Sequence, residues 1–237
     1  MELRIHKDKM SVAKHFSDYF YEMVRNNDIT HVALSGGSTP KVIFDILAEY
    51  YGDKIDWTTV HFYWGDERCV APDDDQSNYK MTVIHLFSKV DVPPANIHRI
   101  HGESDPSEEA LRYATLLESN LECSNDLPQF DLVILGMGDD GHTASIFPHE
   151  LDLWDNDAHC VVATHPESGQ KRVSITGQVI NEAKEVIFLV TGDNKAEKID
   201  AIHNQKEGHK QYPASFVNPT SEQLIWYLDE AAAKNLN

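Results

Sequence analysis

The stretch best equipped for chemistry is Gly136-Met137-Gly138-Asp139-Asp140-Gly141-His142-Thr143-Ala144-Ser145-Ile146-Phe147-Pro148, where two aspartates and a histidine stand among glycines directly after an apolar run. Histidine is the side chain that exchanges protons near neutral pH, so His142 is a candidate general base toward water. A carboxylate at Asp140 can fix the imidazole tautomer and raise its basicity. A metal centre is the competing chemistry, with Asp139, Asp140 and His142 as oxygen and nitrogen donors, yet no second histidine lies at ligand spacing. Nucleophilic Ser–His–Asp catalysis is disfavoured, because the sequence holds no G-x-S-x-G elbow.

Two further stretches offer groups for an anion. In Leu34-Ser35-Gly36-Gly37-Ser38-Thr39-Pro40 the glycines let a backbone approach a ligand closely, and the N–H groups of a following helix favour negative charge there. Ser38 and Thr39 add hydroxyls. The same residues also describe an ordinary tight turn with a hydroxyl cap, and neither the P-loop nor the dinucleotide fingerprint is present. In Trp64-Gly65-Asp66-Glu67-Arg68-Cys69-Val70, Arg68 can clamp an oxyanion through its fork of donors, with Asp66 orienting it or binding hydroxyls. Surface ion pairs are the alternative. Lys171-Arg172 and Lys195 stand beside predicted strands and are candidate anion contacts or solvated charges. His98 and His101 read as solvated loop histidines.

These groups need elements to position them. Val12, Ala13, Phe16, Tyr19, Phe20, Met23 and Val24 recur at helical spacing and predict an amphipathic first helix. Strands are expected at His31–Leu34, Val60–Trp64, Leu132–Leu135, Cys160–Ala163, Val173–Thr176, Val186–Thr191 and Gln223–Tyr227. Helices are expected around Val42–Leu47, across Asn78–Phe87 and from Pro106 to about Leu121. Continuous apolar strands separated by helices imply an α/β fold with a mostly parallel sheet covered by helices on both faces. In such sheets ligands settle beyond the carboxyl ends of the strands, which is where all three polar stretches fall. The segment Asp91–Ser107 reads as a surface excursion.

At 237 residues the chain can bury a full core, and a single domain over 1–237 is expected. The three cysteines, Cys69, Cys123 and Cys160, follow no CxxC spacing, so a disulfide framework or zinc ribbon is not suggested and a reducing compartment fits best. Neither an apolar signal core nor a membrane-length apolar run occurs, so the reading is cytoplasmic. A formal charge of −19 argues against nucleic-acid or membrane partners. An anionic substrate would then depend on local cations.

Taken together, Ser35–Pro40, Trp64–Val70, Ser77-Asn78-Tyr79 and Gly138–Pro148 resemble the 6-phosphogluconolactonases of the pentose phosphate pathway, in order along nearly the whole chain. The resemblance implies a Rossmann-like α/β sandwich, no metal or organic cofactor, and hydrolysis of 6-phospho-D-glucono-1,5-lactone to 6-phosphogluconate. It implies that the Gly36, Gly37, Ser38 and Thr39 loop holds the sugar phosphate with Arg172 and Lys195. It also implies that Arg68 and Asp66 contact substrate, that His142 is the base, and that Asp140 is its acidic partner. The partner expected is a small sugar phosphate, for a monomer or small homo-oligomer. The related glucosamine-6-phosphate deaminases carry a glutamate soon after the histidine. Here Thr143-Ala144-Ser145-Ile146-Phe147-Pro148 intervenes before Glu150, which favours the lactonase. A non-catalytic sugar-phosphate sensor would accompany a basic DNA-binding module, for which this acidic chain has no room.

Overall fold

The computed structural model describes residues 1–26 and 30–236. Strand β1 (Glu2–His6) leads into helix α1 (Lys9–Arg25), which begins where the Asp8 carboxylate accepts the Ser11 backbone N–H at 2.8 Å. Next come β2 (His31–Leu34), α2 (Ser38–Tyr51), β3 (His61–Trp64), β4 (Asp66–Arg68) and α3 (Asn78–Thr82). Helix α4 (Pro106–Asn120) starts with proline behind the capping Asp105. It is followed by β5 (Glu122–Ser124), β6 (Leu127–Gln129), β7 (Leu132–Leu135), β8 (Cys160–Thr164) and β9 (Lys171–Ile175). The order closes with α5 (Gly177–Glu182), β10 (Glu185–Val190), α6 (Ala196–His203) and β11 (Leu224–Asp229).

Six strands form one sheet in the order β1-β11-β10-β7-β2-β3, with every neighbouring pair parallel. Successive strand residues face opposite sides, yet β7 and β10 are buried at every position. Both faces are therefore covered, the Rossmann-like arrangement expected of unbroken apolar strands.

The strand order reverses between β2 and β7. From β2 the chain runs outward to β3 at one edge, whereas from β7 it runs the other way through β10 to β11. Loops leaving two neighbouring strands in opposite directions open a crevice at their carboxyl ends. Those loops are the Ser35–Gly37 turn and the Gly136–Pro148 segment.

Four departures of the structure from the sequence reading bear on the cleft and its supports. The strands at 160–163 and 173–176 do not join the parallel sheet; β8 and β9 pair antiparallel with each other and with β4 in a second, three-stranded sheet. β4 itself lies in the stretch read as a loop, and β1 had no counterpart in the reading. The helix expected across Asn78–Phe87 ends at Thr82 and continues as a wider turn over Val83–Phe87. The small sheet hangs from the large one through Gly65, whose N–H donates to Leu34 O at 2.9 Å and whose carbonyl accepts the Ile175 N–H at 2.9 Å.

Candidate active site

The crevice at the sheet reversal is lined by Ser35, Gly36, Gly37, Asp66, Arg68, Asn78, Gly136, Met137, Gly138, His142, Ala144 and Arg172. Its interior volume is about 180 Å³, and its mouth is open to solvent. His142 and the Gly36–Gly37 turn thus share one cleft.

His142 is held from two directions. Its Nδ1 lies 2.6 Å from Asp140 Oδ1, and the same oxygen accepts the His142 backbone N–H at 3.1 Å. Burial pulls the Asp140 carboxyl upward, but the hydrogen bond and charge of His142 outweigh it and hold the carboxyl down at about 2. A carboxylate that stays ionised fixes a proton on Nδ1 and leaves Nε2 as the basic nitrogen.

The loop itself is pinned so that this pair stays in place. Gly138 N–H donates to His142 O at 2.9 Å, and Thr143 Oγ1 donates to Gly136 O at 2.9 Å. Gly138 is required for a steric reason: a Cβ there would stand 2.2 Å from His142 Nδ1. Farther along, Ser145 N–H donates to Ser174 Oγ at 3.1 Å and Ser145 Oγ to Asp66 Oδ2 at 2.6 Å, tying the loop to β9 and β4 of the small sheet.

The small sheet supplies the cations. Arg68 and Arg172 are direct cross-strand partners, and both line the cleft. Like charges opposite one another are unfavourable without a counter-ion between them. Among the described residues, the Nε atoms of both arginines are buried with no hydrogen-bond partner. Burial depresses the Arg172 guanidinium, with the charge of Asp66 opposing that drop, yet arginine keeps its proton at any working pH. Two adjacent, incompletely satisfied guanidiniums beside the start of a 14-residue helix make a site for a phosphate-sized anion.

Glu67 and Asn78 brace the cleft wall, and the sequence reading assigned a role to neither. Glu67 is buried rather than part of a surface ion pair, and accepts the backbone N–H groups of Arg68, Asn78 and Tyr79, each at 2.8 Å, plus Ser77 Oγ at 3.0 Å. Burial raises its pKa, against the pull of those backbone donors. Glu67 thereby fixes the start of α3, where Asn78 Nδ2 donates to Asp66 O at 2.9 Å and the side chain packs against Gly36. The signal was present as Ser77-Asn78-Tyr79, but nothing local says that these residues fold onto Glu67.

Other expected residues stand off the cleft wall. Ser38 accepts Lys9 Nζ at 3.1 Å, and Thr39 is buried against Thr191 with their hydroxyls 2.9 Å apart. Lys195 is paired with Asp139, which Asn194 Nδ2 also contacts at 2.8 Å. Asp139 is thus turned to Lys195, and among the described residues no group of three or more His, Cys, Asp or Glu side chains is placed to hold a metal. Glu150 accepts the Thr164 N–H at 2.9 Å. His98 and His101 are not isolated loop residues, since His98 stacks on His61 and His101 faces Glu109 at 3.9 Å.

Residues 7–226 match the family model described as glucosamine-6-phosphate isomerases/6-phosphogluconolactonase. A 6-phosphogluconolactonase of Treponema pallidum is 43% identical over 202 residues, which cover 85% of this chain and 84% of the relative. A crystal structure described as devB protein is 43% identical and superposes with a TM-score of 0.95, covering 100% of this chain and 99% of the other. The crystal structure of 6-phosphogluconolactonase from Thermotoga maritima is 29% identical with a TM-score of 0.83, over 96% of this chain and 99% of that one.

Proposed function

Because the chain belongs to the glucosamine-6-phosphate isomerase/6-phosphogluconolactonase family, we propose that the cleft at the sheet reversal hydrolyses 6-phospho-D-glucono-1,5-lactone to 6-phospho-D-gluconate. The protein is an enzyme of carbohydrate metabolism acting on a sugar lactone. The observation that carries the assignment to this cleft is the Asp140–His142 pair at 2.6 Å opening onto the same space as Arg68 and Arg172.

In this reading His142 Nε2 takes a proton from a water molecule as its oxygen attacks the lactone carbonyl. Asp140 remains ionised and stabilises the imidazolium that forms. The ring C–O bond breaks when the tetrahedral intermediate collapses, and the imidazolium returns its proton to the departing C5 oxygen. Arg68, Arg172 and the Gly36–Gly37 turn grip the phosphate, so a remote anionic handle orients the reacting carbon. Asp66, fixed by Ser145, is left to accept sugar hydroxyls. Lys195 reaches the catalytic loop through Asp139 and joins the phosphate grip once released from that carboxylate.

Deamination of glucosamine 6-phosphate is the weaker reading, because the only acid soon after His142, Glu150, is committed to Thr164. Because Cys69, Cys123 and Cys160 follow no disulfide or zinc spacing, we place the enzyme in the cytoplasm, as a monomer or small homo-oligomer. Among the described residues no helix is long and apolar enough to cross a membrane. The test is a coupled assay on freshly generated lactone, with glucosamine 6-phosphate run in parallel. Acid release above the spontaneous rate, without ammonia release, is expected; background hydrolysis alone refutes the reading.

A further inference from the structure

Phe147 closes the catalytic loop, and its side chain is fully buried at 0% exposure. Four polar rings and heads converge on it. The His142 ring centroid lies 4.7 Å away with the planes inclined by 53°. The Arg172 guanidinium carbon stands over the ring at 5.5 Å. His165, just beyond β8, meets it edge-on at 5.4 Å, and the His149 ring lies at 5.9 Å inclined by 32°. A base carried by the loop after β7 and a cation carried by β9 therefore share one aromatic partner.

We propose that Phe147 is a positioning residue for the hydrolytic reaction: its ring sets the separation of His142 from Arg172 and favours the cationic form of His142 as water is deprotonated. This rests on the reading of His142 as the base. An aromatic face carries negative potential and attracts a nearby cation, most strongly where water is excluded, as it is around a fully buried ring. Arg172 is one such cation at all times. His142 becomes a second at the moment it takes the proton, and the ring then adds to the stabilisation that Asp140 supplies. A leucine in this place would fill the volume but offer no such potential.

The groups facing His142 are Asp140 from its own loop, Arg172 from β9 and His165 from the end of β8. All of them stay in place when only the electron density of the Phe147 ring is altered, and of the three Asp140 is the one with no contact to that ring. Fluorinated phenylalanines incorporated at position 147 alone, from one to five fluorines, make that alteration while keeping the ring's shape. kcat is expected to fall stepwise with fluorine number, by about threefold to tenfold across the series, as a cation–π contact of ordinary strength predicts. The acid limb of the kcat/KM profile should move toward lower pH by about half a unit over the same series, and the NMR titration of the His142 ring in substrate-free enzyme should move with it. KM should rise over the series, reporting the contact with Arg172.

Phe147→Leu provides the second arm, with a lowered kcat and a displaced acid limb expected. A flat response of both kcat and the His142 titration to fluorination, or a Phe147→Leu enzyme with an unmoved pH profile, would reduce Phe147 to a packing residue. The assignment of the base is judged separately. If His142→Ala keeps its turnover, the reading of the active site has failed; if it is inactive while the fluorine series is flat, only the role of Phe147 has.

Discussion

In the proposed mechanism His142 acts on water, and the phosphate grip is made by other side chains. His142→Ala is therefore expected to lower kcat by about 10²- to 10⁴-fold, the usual contribution of a positioned general base. Binding of 6-phosphogluconate should change less than about threefold, because the groups that hold the handle are untouched. Isothermal titration beside steady-state kinetics measures both, and near-wild-type turnover would remove His142 from the mechanism. Gly138→Ala tests the same side chain through its surroundings. The added methyl group would sit 2.3 Å from His142 Cε1 and 2.7 Å from Asp140 Oδ1, so the imidazole must leave its place. We expect at least a tenfold loss in kcat with KM little changed, since one to two kcal/mol of lost orientation is enough for that. An alanine variant with unaltered kcat would mean that the ring's observed position is not the one that reacts.

At the scale of elements, the strands that build the crevice were legible because they are buried on both faces and therefore written as unbroken apolar runs. Leu132–Leu135 followed at once by glycines and acids could be read as a strand delivering a loop, and β2 likewise. The small sheet could not be read this way. Asp66-Glu67-Arg68 shows no alternation, and its pairing with Lys171–Ile175 joins residues about a hundred positions apart. Consequently the cross-strand meeting of Arg68 with Arg172, and the burial of Glu67 under the start of α3, were invisible from sequence although each residue type was noticed or adjacent to one that was.

The opposite end of the large sheet holds an unread feature with a consequence for stability. His31 and His61 open β2 and β3 in register, and their rings stack at 5.1 Å. His98 stacks on His61 at 5.3 Å, with His61 Nδ1 3.0 Å from His98 Nε2. Burial first, and then the neighbouring histidines, hold His98 down at about 4 and lower His61 as well. The folded state thus refuses protons that the unfolded chain accepts near the ordinary value of 6.5. Stability should be level above about pH 7 and should decline as pH falls from 6.5 toward 4, where the unfolded chain binds more protons than the native one. Paired carboxylates such as Glu103, held at about 2 by Arg99, begin to lose their contribution only as pH falls to their ordinary value of 4.5, so the upper part of the decline isolates the histidines. Melting temperature followed between pH 7.5 and 5 should drop in the parent enzyme and drop less in His98→Asn. Equal slopes would assign the loss elsewhere.

On the scale of the whole molecule, 39 acidic residues face 20 lysines and arginines, and only six of the latter are arginines. Two of those six stand side by side on one cleft, so the molecule presents a small positive site within a strongly negative field. The two parts act on a phosphorylated substrate in opposite senses. At distances beyond a Debye length the net charge of −19 repels it, and within the cleft the paired guanidiniums attract it. Added salt weakens both. Screening the repulsion raises the rate of encounter, while screening the attraction lowers the fraction of encounters that are captured. The attraction is screened less, because the arginine Nε atoms are buried and the substrate phosphate excludes ions when seated between them. We therefore expect kcat/KM to vary by less than about threefold between 20 and 200 mM monovalent salt, in contrast to the steep decline of electrostatically steered enzymes. Arg172→Gln should lower kcat/KM throughout that range and expose the repulsion, so that its residual activity rises with salt. A steep salt-induced loss in the parent enzyme would mean that long-range attraction reaches the substrate after all, and that the acidic surface is arranged so as to leave a positive corridor to the cleft.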